Sequence, residues 1–239
     1  MPIITRLIFQ KNKKRVNIYL DGQFAFGLTA SIVLKKHLKA GKKLSNNLIQ
    51  DLLTLSLKEE MYEKALHFLS LRPRSEKEIS DYLKRKLQQL KYKNVLIFFG
   101  KEDNFYQLKS TLIGKIVARL RKNNLVNDLE FARWFIQQRL NFRPRGKRVL
   151  KIELRRKGVD LQTIEEVFAD EALYSSQQEY EGAKKIAIKA WRQLQGKKTN
   201  EQKQQGFLKL KQRLYQRLAS RGFSFNVIKT IVDDLVKEE

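Results

Sequence analysis

The chain has 239 residues, and its 50 Lys and Arg outnumber its 25 Asp and Glu, which leaves a formal net charge of +25 at pH 7. Hydrophobic residues make up 42% of the chain, which is enough for packed cores and excludes a disordered basic tail. Cysteine is absent, which excludes disulfides and thiolate metal sites and is typical of proteins in the reducing cytosol. The charge predicts a large anionic partner, for which nucleic acid or a nucleoprotein is the best candidate.

Long apolar segments are missing from the sequence. The longest wholly apolar run covers residues 95–99, whereas a membrane-spanning helix needs about 20 apolar residues. The first 15 residues also lack the apolar segment of a signal peptide. We therefore expect a cytoplasmic protein without a membrane partner.

The start of the chain predicts a small antiparallel sheet. Residues 3–9 are apolar and rich in β-branched side chains, and residues 15–20 and 23–28 alternate between apolar and polar positions. Asp21-Gly22 lies between the last two segments and is typical of a tight hairpin, in which both central positions take positive φ. A sheet of two or three strands is marginal alone, so we expect it to pack on a helix.

After this sheet, the apolar residues recur at helical spacing. Thr29 or Ser31 is a candidate cap for a short helix that ends near Gly41. The run Ser45-Asn46-Asn47 is the candidate cap of a longer helical stretch, and the apolar pattern of this stretch allows a break near residues 57–60. The rest of the chain is therefore predicted to be helical.

An internal repeat organises the helical part. The sequence Arg-Pro-Arg occurs at residues 72–74 and 143–145, so its two prolines lie 71 residues apart. In both copies the helix that follows keeps the same apolar positions and ends in a basic cluster, at residues 84–86 and 155–157. This agreement at one fixed offset predicts two copies of the same structural unit.

The predicted helix ends agree with this repeat. Ser75 and Glu78 have capping-box spacing at the start of the first basic helix. Asp160 is a candidate N-cap in the second copy. Gly158 and Gly222 lie where a helix C-terminus favours a residue with positive φ.

A third, fainter copy matches residues 218–223 to residues 154–159. Three short amphipathic helices are the smallest bundle that buries its own apolar face. We therefore predict a mostly α fold of tandem three-helix repeats that form an elongated, curved molecule, with the small antiparallel sheet at its N-terminus. The predicted boundaries are 1–57 for the N-terminal hairpin and helix extension, 58–127 for repeat 1, 128–172 for repeat 2 and 173–239 for repeat 3.

Two segments interrupt the repeats. Residues 88–110 form an insertion in repeat 1, which we expect to be a small hairpin or a longer loop. Residues 195–205 are polar and predict a mobile linker in repeat 3.

The sequence offers no convincing catalytic or metal-binding constellation. The only histidines are His37 and His67, and His67 is expected on a helix surface. A zinc site needs three or four clustered ligands, which the sequence does not provide. Residues 196–199 resemble a phosphate-binding loop poorly, because they lack the matching upstream glycine and a preceding strand. We predict a binding protein with no enzyme activity, cofactor or metal; a nuclease with a dispersed site is the remaining enzyme hypothesis.

Basic side chains crowd the repeat motifs and form the candidate binding surface. Glu153 is the one acid among residues 147–157, so a face of this helix must be exposed and positive. Such groups bind phosphates with an affinity that falls steeply as salt rises. The candidate residues are Arg72, Arg74, Lys84, Arg85, Lys86, Arg143, Arg145, Lys147, Arg148, Lys151, Arg155, Arg156, Lys157, Lys209, Arg213, Arg217 and Arg221.

The order and spacing of these motifs resemble the RecX family, regulatory proteins of the RecA recombinase. Residues 69–79 are similar to the family's first-repeat signature. Residues 125–132 are similar to its Leu-x-Asp-Asp-x-x-Phe-Ala segment, although Asn127 replaces the first Asp. The remaining matches are residues 139, 143–146 and 154–158 with its central block, residues 221–223 with its C-terminal signature, and residues 19–26 with the extension of longer members.

The resemblance implies a fold of tandem three-helix units that bind the RecA–DNA filament in its helical groove. It implies a modulator, chiefly an inhibitor, that limits filament growth and the recombinase and coprotease activities of RecA, in DNA repair, DNA recombination and the SOS response. The implied partners are RecA and the RecA–DNA filament, with single- or double-stranded DNA as a further direct partner. The protein is expected to be a monomer, with no enzyme activity and no cofactor.

A stand-alone DNA-binding protein with helix-turn-helix-like units is the competing hypothesis. A helix, a turn and a helix capped by Ser75 have the required order. Glu76 and Glu78 fit this hypothesis poorly, because acids at the start of a base-reading helix would face phosphates.

Overall fold

The computed structural model describes residues 1–11, 13–89, 102–195 and 203–237, and side chains over 1–11, 13–89, 107–193 and 210–235. Helices dominate, and a small antiparallel sheet stands at the start of the chain, which confirms the predicted fold class. The chain forms two compact units, Met1–Val126 and Asn127–Glu239, here called unit 1 and unit 2.

Unit 1 begins with the strands β1 (Ile4–Phe9), β2 (Arg15–Leu20) and β3 (Gln23–Thr29). They pair antiparallel in the order β1-β2-β3. Asp21 and Gly22 join β2 to β3 with φ of 48° and 85°, which confirms the predicted tight hairpin.

The first helix, α1 (Ala30–Lys35), follows β3 directly. It ends before the predicted end at Gly41, and Thr29 precedes it without a side-chain capping hydrogen bond. His37 adopts the left-handed conformation, with φ of 47°, and so ends the helical path. Leu38 then turns back into the core beneath the sheet.

Helix α2 (Asn46–Ser70) runs through both parts of unit 1 without a break. Ser45 Oγ accepts a hydrogen bond from the Leu48 N–H at 3.2 Å, as its predicted capping role requires. The break that the pattern allowed near residues 57–60 is absent, because Leu57 and Met61 lie one turn apart and are both buried in the same core. The first half of α2 covers the sheet, so the small sheet packs on a helix as expected.

The second half of α2 forms a three-helix core with α3 (Glu76–Gln89) and α4 (Glu102–Lys122). Ser75 Oγ accepts a hydrogen bond from the Glu78 N–H at 3.1 Å, so the predicted cap of α3 is confirmed. Residues 102–110 belong to α4 and not to a hairpin or loop, which corrects the predicted insertion; residues 90–101 lie outside the described residues.

Unit 2 has two three-helix cores, each packed around leucine, isoleucine and aromatic side chains. The first is built by α5 (Asp128–Phe142), α6 (Lys147–Arg156) and α7 (Leu161–Ala169). The second is built by α8 (Ser176–Gln195), α9 (Lys203–Ala219) and α10 (Phe225–Lys237). Of the predicted linker 195–205, residues 203–205 are helical and residues 196–202 lie outside the described part of the chain.

The predicted helix ends of unit 2 are confirmed. Gly158 and Gly222 have φ of 89° and 84°, the left-handed values that end a helix readily only at glycine. Asp160 caps α7 by accepting a hydrogen bond from the Thr163 N–H at 2.9 Å.

The repeat boundaries remain a prediction. The described residues form four hydrophobic cores, one for each predicted segment. Each core stays within its segment or extends at most two residues beyond it. The boundary after residue 57 falls inside α2, so this helix serves both the sheet core and the core of repeat 1. These cores support the division as a proposal.

Repeats 2 and 3 approach each other closely at two glycines. The Gly146 N–H donates a hydrogen bond to the Arg221 carbonyl oxygen at 3.0 Å. A Cβ atom on Gly146 would lie 2.0 Å from the Gly222 carbonyl oxygen, and one on Gly222 would lie 2.6 Å from Val149 Cγ2. Both distances are far below van der Waals contact, so glycine is required at each position.

We expect Gly146→Ala to lower the free energy of unfolding of unit 2 by about 3 kcal/mol, because the added methyl meets rigid backbone. Gly114→Ala is the matched control, since nothing lies within 4 Å of the added methyl in α4. Alanine is the better helix former, so this control should gain about 1 kcal/mol. Chemical denaturation followed by circular dichroism measures both changes, and equal stability of the two variants would contradict the close contact.

Candidate functional site

Acidic side chains in unit 1 neutralise basic ones by bridging different elements of the fold. Arg15 pairs with Glu60 at 2.5 Å, and Arg119 pairs with Glu59 at 2.9 Å. The guanidinium of Arg121 binds both carboxylate oxygens of Glu76, at 2.6 and 2.5 Å. These cations already have acidic partners on other elements and are therefore poor candidates for binding a further partner.

Arg72, a predicted site residue, also takes part in such a pair. Its two terminal nitrogens donate to the two carboxylate oxygens of Glu78 at 3.1 and 3.0 Å, and both side chains are partly buried. A bidentate pair of this kind fixes the Arg-Pro-Arg loop onto the first turn of α3. Arg72 therefore has a structural role within unit 1.

Arg74 lies on an aromatic stack that the sequence did not reveal. Its guanidinium carbon lies 3.8 Å from the centre of the Phe68 ring, which stacks on Tyr82 with ring centres 4.1 Å apart. Lys86 Nζ lies 5.6 Å from the centre of the Tyr82 ring, so two cations flank two parallel rings. Burial, and next the charge of Arg72, lower the pKa of Arg74, while Glu78 opposes this shift.

Lys84 and Arg85 complete the predicted set of repeat 1 and are exposed on α3. The Lys84 ammonium lies 3.8 Å from a carboxylate oxygen of Asp81, and the Arg85 Nε donates to the Asp81 carbonyl oxygen at 3.3 Å. Contacts this exposed contribute little to stability, so both cations remain accessible to a partner.

In repeat 2, α6 presents its predicted cations in two different settings. Lys151 Nζ donates to both carboxylate oxygens of Glu165 at 2.6 Å, and this hydrogen bond lowers the pKa of Glu165. Lys147 lies with Lys151 over the Phe168 ring, at 5.4 and 5.7 Å from its centre. Arg148, by contrast, is exposed and forms no ion pair with the described residues.

The single acid of α6 is already engaged. Glu153 accepts a hydrogen bond from Arg139 Nε of α5 at 2.8 Å, and both side chains are partly buried. It therefore joins two helices of repeat 2 instead of neutralising the cations around it. Arg155 and Arg156 are exposed at the end of α6 and Lys157 is half-buried, as expected of the predicted positive face.

The remaining predicted cations lie around the junction of repeats 2 and 3. Arg143 is exposed at the end of α5, and Arg213 and Arg217 are exposed on α9. Arg145 and Arg221 are half-buried beside the Gly146–Gly222 contact. Lys209 belongs to α9, and its side chain lies outside the described residues.

Two exposed apolar side chains precede the Arg-Pro-Arg loops, and sequence reasoning missed them. Leu71 is 68% exposed and Phe142 is 75% exposed. They lie 71 residues apart, at the same offset as the loops themselves. This shared offset was the signal that could have identified them, because an apolar residue recurs at the same place in two copies of the repeat.

Metal-binding clusters and membrane-spanning helices are missing from the part of the chain that the structure describes. No three His, Asp or Glu side chains lie close enough there to bind a metal ion. None of the described helices has the length and apolar character needed to cross a membrane. His67 is exposed on α2, in agreement with the sequence prediction.

Comparison with known proteins decides the family. The regulatory protein RecX of Bacillus subtilis is 32% identical over all of this chain and 79% of its own length. The chain belongs to the RecX family. The regulatory protein RecX of Bacillus pumilus is 31% identical over 95% of this chain and 75% of its own length.

Family models and solved structures agree with this assignment. Models of the RecX N-terminal, first three-helix and second three-helix domains match residues 2–45, 62–87 and 127–167. A crystal structure of regulatory protein RecX superimposes with a TM-score of 0.65 at 24% identity, over 98% of this chain and 100% of that one. RecX from Lactobacillus salivarius gives 0.53 at 23% identity, over 75% of this chain and 96% of that one. At these identities the two structures show the same fold.

Membership of this family makes the chain a regulatory protein rather than an enzyme. The predicted resemblance to RecX and the predicted three-helix repeats are thereby confirmed.

The structure distinguishes cations that hold the fold from cations that are free to bind. We expect Arg139→Gln to lower the free energy of unfolding by about 1 kcal/mol, because partly buried Glu153 loses its partner. Arg155→Gln is the matched variant, and it should leave stability within about 0.5 kcal/mol of the original. Thermal unfolding measures both effects.

The same two variants should differ in the opposite way when they bind a DNA duplex, because here Arg155→Gln and not Arg139→Gln has the effect. Arg155→Gln should reduce the slope of log affinity against log salt by about 0.9 if Arg155 contacts one phosphate, while Arg139→Gln leaves the slope unchanged. Equal slopes would mean that Arg155 lies off the binding surface.

Proposed function

We propose that this protein binds the RecA–DNA filament in its helical groove and inhibits RecA by limiting filament growth. Its targets are then the recombinase and coprotease activities of RecA in DNA repair, recombination and the SOS response, in the cytoplasm. The observation that carries the proposal is a recurring surface. An exposed apolar side chain, Leu71 or Phe142, stands beside an Arg-Pro-Arg loop and a helix that ends in basic residues, once in each of two repeats.

A repeated surface suits a repeated partner. Each three-helix repeat can contact one position of a polymer. Because the repeats are linked, the first contact raises the effective concentration for the second. Weak contacts then add up to firm binding by a monomer. A filament with one RecA subunit after another offers such equivalent positions, whereas a small ligand does not.

The mixed character of the surface favours a nucleoprotein over naked DNA. The cations suit phosphates, but Leu71 and Phe142 have no favourable partner on a phosphate backbone. Exposed apolar groups beside arginines are typical of contacts between proteins. We therefore infer that the apolar groups contact RecA, and that the cations are shared between RecA and filament DNA.

The start of α3 also argues against the helix-turn-helix alternative. Glu76 and Glu78 occupy its first turn, and they pair with Arg121 and Arg72. A recognition helix inserts its first turn into the major groove, where these carboxylates would lie close to phosphates. A stand-alone DNA-binding protein remains the outcome to be tested against the filament.

We expect the protein, at substoichiometric amounts, to slow ATP hydrolysis and strand exchange by RecA of the same organism. The charge reversal of Arg155, Arg156 and Lys157 to Glu should weaken filament binding at least tenfold while leaving helicity intact, because it places carboxylates where phosphates bind. Steady-state ATP hydrolysis at low salt measures the first effect, and circular dichroism checks the fold of the variant.

Two results would contradict this function. The first is tight binding of naked duplex with no slowing of ATP hydrolysis or strand exchange, which would favour the stand-alone DNA-binding protein. The second is unchanged filament binding by the charge-reversed variant, which would place the binding surface elsewhere. DNA cleavage by the pure protein with a divalent metal would revive the nuclease hypothesis.

The apolar anchors provide a separate prediction. Phe142→Ala and Leu71→Ala should each weaken filament inhibition by about tenfold and leave binding of naked duplex unchanged, because apolar contacts serve the protein part of the filament. Leu34→Ala is the control, since Leu34 is 73% exposed but lies on α1, outside the repeat motifs of the sequence. Equal loss in all three variants, or loss of duplex binding with Phe142→Ala, would refute the anchor role.

A further inference from the structure

Three arginines meet where repeat 3 joins repeat 2. Arg145 precedes Gly146 and Arg221 precedes Gly222, and these two glycines form the close backbone contact described above. The hydrogen bond from the Gly146 N–H to the Arg221 carbonyl oxygen, at 3.0 Å, joins the two backbone segments that carry Arg145 and Arg221. Arg217 lies one helical turn before Arg221, near the end of α9.

The three positive charges repel one another, and no carboxylate among the described residues pairs with them. The pKa of Arg221 is lowered, first by burial and then by the charges of Arg145 and Arg217, and no carboxylate opposes the shift. Repeat 1 differs in this respect. There the charge of Glu78 raises the pKa of Arg74 and so opposes the lowering by burial and by Arg72. The junction therefore concentrates like charge that the folded protein leaves uncompensated.

The sequence explains why repeat 2 has no counterpart of Glu78. Val149 occupies, at the offset of 71 residues, the position that Glu78 occupies in repeat 1. Glu78 binds Arg72 there, whereas Val149 packs against Gly222 and so holds repeat 3 in place. One substitution between the repeats thus removes a carboxylate and allows Arg221 to approach.

Three acids of repeats 2 and 3 that the structure describes have partners outside this cluster. Glu153 is held by Arg139 and Glu165 by Lys151, while buried Glu179 accepts the Ser224 N–H at 3.2 Å. Within the described residues none of the three arginines forms an ion pair. Arg145 Nε is buried and has no hydrogen-bond partner among them.

A cluster of this kind favours an anion that accepts several hydrogen bonds at once. The planar fork of a guanidinium donates two parallel hydrogen bonds, and it suits phosphate oxygens especially well. The tetrahedral oxygens of a phosphate accept donors from several directions, whereas a carboxylate accepts them near one plane. Exposed Arg143 and Arg148 flank the cluster in sequence, which suits a polymer with a charge on every unit.

We propose that Arg145, Arg217 and Arg221 form a binding site for one phosphodiester group of a nucleic-acid backbone, at the junction of repeats 2 and 3. This inference rests on the proposed function and deepens it, because it assigns one part of the basic surface to DNA and not to RecA. A bound anion would offset the mutual repulsion of these three charges, which favours binding.

The test compares Arg145→Gln, Arg217→Gln, Arg221→Gln and the triple variant with Arg192→Gln, which removes one exposed charge from α8 in the same unit. Binding of a single-stranded oligonucleotide is measured by fluorescence anisotropy over a range of salt concentrations. Each single variant of the cluster should lose about tenfold in affinity, and its slope against log salt should fall by about 0.7, the value for one phosphate on a single strand. Arg192→Gln should retain the original slope.

Coupling between the three side chains is the second readout. Because they share one phosphate, the triple variant should lose far less than the product of the three single losses. Losses that multiply, or slopes that stay unchanged, would overturn the site.

Stability separates a binding role from a structural one. Removing like charge should leave the melting temperature of the free triple variant equal to or above that of the original protein at low salt. A lower melting temperature would show that the arginines hold the junction together, and would overturn the proposal.

Two further arms identify the ligand. Oligoglutamate and inorganic phosphate, each tested alone at the same ionic strength, should bind the original protein and the triple variant equally weakly. The contrary result has two parts: the original protein binds oligoglutamate or inorganic phosphate more strongly than the triple variant does, and both proteins bind the oligonucleotide equally. The ligand of the site would then be an acidic peptide or free phosphate and not nucleic acid. Filament inhibition that persists when the oligonucleotide slopes stay unchanged would refute this site alone, whereas absent inhibition by the original protein would refute the proposed function.

Discussion

The distribution of a small number of carboxylates among many cations determines which surfaces of this protein are free to bind. The chain has 25 acids for 50 basic residues, so cations remain uncompensated even if every acid pairs with one of them. Some of these acids join different elements, as in the pairs Arg119–Glu59 and Arg139–Glu153, where a partly buried pair stabilises packing more than an exposed one. The cations left over define the candidate surface, so stability and binding share one electrostatic constraint.

The glycines at the junction of repeats 2 and 3 connect this constraint to the repeat architecture. Each three-helix unit has its own core, but Gly146 and Gly222 let two backbones approach to hydrogen-bonding distance. That approach brings two basic loops together, where the sequence alone places them far apart. A backbone contact that only glycine permits thus produces an electrostatic feature that binding can use.

Much of the fold was predictable because local chemistry determines it. The Asp21-Gly22 turn, the Ser45 and Asp160 caps and the left-handed glycines follow from neighbouring residues and were all found. The predictions that were wrong depend on distant contacts. The end of α1 is set by the return of Leu38 to the sheet core, and the continuity of α2 by a face that packs on two successive cores.

The sequence by itself determined the repeat, the family resemblance and the identity of the cations, because offsets, caps and residue types are written along the chain. Only the tertiary structure decided which cations are free, since the pairs that join different parts of the fold involve residues 6 to 60 positions apart, such as Arg72 with Glu78 and Arg119 with Glu59. It also revealed the ring stack beneath Arg74 and the cluster around Arg221. Charge is a property of a residue, whereas compensation of that charge is a property of the fold around it.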